Sequence, residues 1–136
     1  MQSLQILMNK AARHVTGYTA FTPIRRLLLK CRWLSVKQQV FYQTVIMTHK
    51  TKITKSPYHM WKKMGTGYPY RTRQSTSVCI RLDETFSCSS SLTQKGFKYR
   101  GATNYNQIPA DIRSKVNMAT FKSKLKRWVI NNLPID

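Results

Sequence analysis

The stretch KGFKYRGATNYNQIPADIR, residues 95–113, decides how this chain is read. Its first six residues alternate: Phe97 and Tyr99 fall on one side, Lys98 and Arg100 on the other, as in a half-buried strand. Its second half, NQIPADIR, is a turn entering a short helix, with Pro109 in the first turn and Asp111 near the positive helix end. The stretch therefore predicts a strand followed by C-terminal helices over 95–136.

Upstream, the strand needs a partner. Val78, Ile80 and Leu82 alternate with polar residues and supply one, and the Ser-rich run Ser87–Thr93 reads as the flexible loop of a hairpin. The rest of the chain is helical in pattern. Leu4, Leu7, Met8, Ala11, Ala12 and Val15 recur at helical spacing and Gly17 ends that segment. Thr22-Pro23 reads as an N-cap with proline in the first turn, followed by a buried face of Ile24, Leu27, Leu28 and Cys31. Ser35 is the candidate cap of a helix running to about residue 52, with Val36, Val40, Phe41, Val45 and Met47 inside. Ser56-Pro57 opens a short helix through Trp61 and Met64, broken at Gly65. Asn117 caps a last helix whose apolar stripe is Phe121, Leu125, Trp128 and Val129, with Trp128 expected to be buried. The expected fold is mainly α with a small β-hairpin, a compact basic helical domain of α+β class. The expected organisation is a helical subdomain over 1–64, a loop and strand segment over 65–94, and a strand with C-terminal helices over 95–136, all in one domain.

Charge bounds the function. The 136 residues hold 24 Lys plus Arg against four carboxylates, a formal charge of +20. The cations are spread along the chain, so most of the surface must be positive. Such a chain repels itself unless a polyanion or another protein neutralises it, and nucleic acid is the usual polyanion. Within the opening stretch Lys95, Lys98, Arg100 and Arg113 are candidate phosphate contacts, as are Lys122 and Lys126 on the last helix. Tyr70, Arg71 and Arg73 mix a ring with cations, as single-strand binders do.

Other chemistries lack their residues. Asp83 and Glu84 are adjacent and would point to opposite faces of a strand, and Asp111 is placed to stabilise a helix start, so no set of carboxylates converges on a catalytic metal. Cys31, Cys79 and Cys88 show no CxxC, and His14, His49 and His59 have no ligand spacing, so no metal or other cofactor is expected. Free thiols fit a reducing, intracellular setting, nucleus or cytoplasm. Neither a signal peptide nor a membrane span is read in the chain, and no membrane partner is expected.

The order of segments carries a further signal. LQILMNKAARHVTG (4–17), FTPIRRLL (21–28), RWLSVKQQVFY (32–42), YRTRQ (70–74), KGFKYRGATNYNQIPADIR (95–113) and FKSKLKRWV (121–129) together resemble the C-terminal region of reverse transcriptases from non-long-terminal-repeat retrotransposons, jockey-like and related. The likeness spans nearly the whole chain and is most specific over YRGATNYNQIPADIR. The family commonly has Trp at the position of Tyr105 and Leu at that of Ile108, changes that keep an apolar residue. The resemblance implies a parent activity of RNA-directed DNA synthesis with its catalytic aspartates in a palm upstream of this region, so no catalytic residue carries over. What it implies here is a non-enzymatic accessory module that grips RNA or DNA beside the upstream reverse transcriptase domains. The alternative is a captured fragment acting as a basic interaction subunit of a ribonucleoprotein or other assembly, with an acidic protein partner.

Overall fold

The computed structural model describes residues 2–64 and 96–134. They form seven helices: α1 (Gln2–Thr16), α2 (Ile24–Cys31), α3 (Val36–Thr54), α4 (Tyr58–Met64), α5 (Phe97–Asn106), α6 (Ala110–Arg113) and α7 (Met118–Asn132). The chain groups into two compact units, Met1–Tyr42 with Arg127–Asp136, and Gln43–Lys126.

The mainly α expectation holds, but the hairpin does not: no strand occurs among the described residues. Residues 97–100 are helical, the first turn of α5. The reason lies in a second periodicity that the six-residue alternation hides. Phe97, Gly101 and Tyr105 recur every four residues and form one helical face. Tyr105 and Ala102 are buried on α5. A Cβ built on Gly101 would stand 2.7 Å from Thr48 Oγ1 of α3, so the bare backbone there allows a close helix approach. The proposed partner strand at 78–82, the loop at 87–93 and the break at Gly65 lie outside the described residues.

In the first unit, Gly17 ends α1 with φ at +67°, a left-handed conformation that glycine adopts without penalty. Only part of the α1 stripe is used. Ala12 is buried with Leu27 and Leu28, and Met8 and Ile24 pack around them. Leu4, Leu7 and Val15, expected inside, are 57%, 62% and 68% exposed, although Leu4 and Val15 share the side of α1 that carries Met8 and Ala12. Thr22 does not cap α2: Pro23 occupies the N-cap position itself, and no side chain caps there.

Ser35 does cap α3. Its Oγ accepts the Gln38 N–H at 3.3 Å, while Gln38 Oε1 accepts the Ser35 N–H at 3.0 Å, a reciprocal capping box. Gln38 Nε2 also donates to the Leu133 carbonyl at 2.8 Å, tying the end of α7 to the start of α3 within this unit. Phe41 stacks on Trp128 with centroids 6.0 Å apart. Trp128 is only half-buried, short of the expectation.

The second unit has a partly polar core. Val45, Tyr105, Ile108, Ile112, Phe121 and Leu125 are buried together with Thr48, His49 and Thr51. Met47, expected inside, is 55% exposed because α3 turns Thr48 and His49 inward instead. Asn117 Oδ1 accepts the Ala119 and Thr120 N–H groups at 2.9 and 3.4 Å, the cap expected for α7.

Candidate nucleic-acid interface

The expected contact residues divide into those the structure places and those it does not. Tyr70, Arg71, Arg73 and Lys95 lie outside the described residues. Lys98 and Arg100 belong to α5, Arg113 to α6, and Lys122 and Lys126 to α7, all within the second unit. Arg100 and Lys122 are exposed; Arg113 and Lys126 are half-buried. Lys98 and Arg100 do not share a strand face. Two residues apart on a helix, they diverge around the axis by about 200°. Lys122 and Lys126 stand one turn apart and share a face of α7.

What fixes these helices is the buried ring stack beneath them. The His49 ring lies 3.6 Å from the Phe121 ring, at an interplanar angle of 6°, and 5.9 Å from that of Tyr105. Its Nε2–H donates to the Lys115 carbonyl at 2.9 Å. Nδ1 is then the acceptor, and the Tyr105 hydroxyl donates to it at 3.1 Å. The Arg113 carbonyl stands 3.4 Å from the same hydroxyl. One histidine of α3 thus joins α5, the α6–α7 connection and α7. Desolvation holds His49 below the ordinary histidine pKa, helped by the nearby Lys52 charge and opposed by the bond to Lys115. Lys52 Nζ also sits 5.4 Å from the Tyr105 ring centroid.

Electrostatically the surface is one-sided. Asp111 is the single carboxylate among the described residues. Lys115 and Lys124 converge on it at 3.3 and 3.1 Å, and both hold its carboxyl below the usual aspartate range. This small network joins α6 to α7 and leaves a net positive charge. Sequence reading missed Lys115 and Lys124 as a pair, since 13 residues separate Asp111 from Lys124 and only the packing of α6 beside α7 brings them together. It also left His49 as a histidine without ligand spacing. A polar residue at a core position of α3 was the one available signal.

Among the described residues no three His, Cys, Asp or Glu cluster as a metal site. No helix among them is long and apolar enough to cross a membrane. Comparison with known proteins adds nothing: no family model, curated protein or solved structure matches the chain.

Proposed function

We propose that this chain binds nucleic acid through phosphate contacts, as an accessory module without catalysis of its own. The observation that carries the reading is charge without compensation: +20 overall, with the one described carboxylate already held between two lysines. The segments that resemble the C-terminal region of non-long-terminal-repeat retrotransposon reverse transcriptases point the same way, toward a piece that grips template or target beside a polymerase. Arg100, Arg113, Lys122 and Lys126 are then phosphate contacts on the second unit, and Lys98, Lys95, Arg71, Arg73 and Tyr70 extend the set.

The test is a salt titration of fluorescence anisotropy with a labelled single-stranded oligonucleotide. Neutralising about five phosphates on a single strand gives a slope of log affinity on log salt near −3.5. Replacing Arg100, Lys122 and Lys126 by Ala should flatten that slope by about two units, at 0.7 per contact. A wild type that binds no strand at moderate salt would overturn the reading.

A second reading rests on a different feature, the exposed apolar residues Leu4, Leu7 and Val15 on α1 and Phe21, which is 96% exposed. Large apolar side chains left in water mark an interaction surface. They favour the chain as a basic subunit of an assembly, with an acidic protein supplying the neutralising charge.

A further inference from the structure

A cleft of about 400 Å³ opens at the C-terminal end of α1, lined by Lys10, Arg13, His14, Gly17 and Tyr18. None of these belongs to the contact set above. The cleft exists because Gly17 turns the chain through a left-handed conformation, which returns Tyr18 beside the last turns of α1. Lys30 of α2 then reaches Tyr18. Its Nζ stands 3.1 Å from the hydroxyl and 4.4 Å from the ring centroid. The Lys30 bond and charge, with a smaller effect of Arg26, hold the Tyr18 hydroxyl below the usual tyrosine pKa. Lys10, Arg13, Arg26 and Lys30 thus bring four formal positive charges to one corner of the first unit.

Nothing among the described residues neutralises them. Residues 1–56 contain no carboxylate, and no described carboxylate pairs with any of the four. Arg13 Nε is buried and has no hydrogen-bond partner. An unmatched guanidinium nitrogen costs free energy, which a nearby anion offsets through charge. One effect opposes an anion here, the partial negative charge of about half a unit at a helix C-terminus. The chain blunts it locally. Thr16 Oγ1 donates to the Ala12 carbonyl at 2.7 Å and the Gly17 N–H to the Arg13 carbonyl at 2.9 Å. Four whole charges outweigh the remainder.

The ring decides what kind of anion fits. Tyr18 is 42% exposed, and Lys30 covers it by a cation–π contact. A flat partner can lie on the ring's other face while its phosphate meets Lys10, Arg13 and His14. The cleft's volume falls at the lower end of the roughly 300–1,000 Å³ of small-ligand sites. We propose that this cleft holds one nucleotide of a single strand, phosphate among Lys10, Arg13 and His14 and base stacked on Tyr18. The proposal rests on the nucleic-acid reading and gives it a single-strand preference, because a duplex keeps its bases inside the stack.

The experiment uses the full chain, fluorescence anisotropy, and two labelled 12-mers, oligo-dT and a fully abasic strand of the same length. Wild type should bind the abasic strand more weakly. In Tyr18→Ala the ratio of the two dissociation constants should shrink by about fivefold or more, the lower range for one stacked base. Tyr18→Phe should keep the wild-type ratio. Lys10→Gln combined with Arg13→Gln should flatten the salt slope by about 0.7, one single-strand phosphate. If Tyr18→Ala lowers the melting temperature, the Tyr18→Phe ratio and the Lys10/Arg13 slope decide. An unchanged ratio and slope in variants that still bind oligo-dT would overturn the cleft while leaving the nucleic-acid reading intact. So would variants that lose binding to phosphatidylglycerol vesicles but not to oligo-dT. A wild type that binds neither strand overturns both.

Discussion

Gly101→Ala is the sharpest test of the packing of α5 on α3. In an exposed helix this change stabilises by about 1 kcal/mol, because alanine has the higher helix propensity. Here the added Cβ would stand 2.7 Å from Thr48 Oγ1, where ordinary contact begins at 3.4 Å, so one side must give. Thr48 cannot give easily. It is fully buried, its Oγ1 donates to the Thr44 carbonyl at 2.9 Å, and a β-branched side chain is stiff at χ1. Overpacking of this kind costs about 1–3 kcal/mol, and displacing a buried hydroxyl from its acceptor costs about as much again. Set against the propensity gain, Gly101→Ala should destabilise by about 1–5 kcal/mol, lowering the melting temperature by roughly 3–5 °C per kcal/mol for a chain of this size. Circular dichroism melts and urea titrations measure it. In a Thr48→Ala background the obstacle is gone, and Gly101→Ala should become neutral or stabilising. A wild-type chain stabilised by Gly101→Ala would refute the close approach.

Two further outcomes follow from buried polar groups. His49 is held neutral by burial, so the unfolded chain binds its proton at higher pH than the folded one, and stability from this group is full above about pH 6.5 and falls as pH drops below it. Urea midpoints measured between pH 5 and 8 should show that decline, and His49→Phe should flatten it; a decline of equal steepness in the variant would assign it elsewhere. Gln38→Ala removes both the acceptor for Ser35 N–H and the donor to the Leu133 carbonyl, and should cost about 1–3 kcal/mol from one buried and one partly buried bond. A loss near zero in urea unfolding would mean that the box does not anchor α3.

Most helix ends were legible because they depend on neighbours in the chain. Gly17, Ser35 and Asn117 stop or start helices by local backbone and capping geometry, and each does so at the residue where the sequence puts it. The three proline starts slipped by one position, since Pro23, Pro57 and Pro109 can stand at the cap as well as inside it. Which face is buried was another matter. The α1 stripe is periodic throughout, yet of its residues Ala12 alone is buried, with Met8 partly so beside it, because burial depends on where a neighbour sits. Residues 95–100 satisfied a strand period over a window too short to exclude a helix. The choice fell to contacts distant in sequence: Gly101 against Thr48, and Tyr105 against His49 and the Arg113 carbonyl. The basic character was fixed by composition alone. The cleft at Tyr18 was not, because the lysine that covers its ring is twelve residues away and arrives only when α2 folds back on α1.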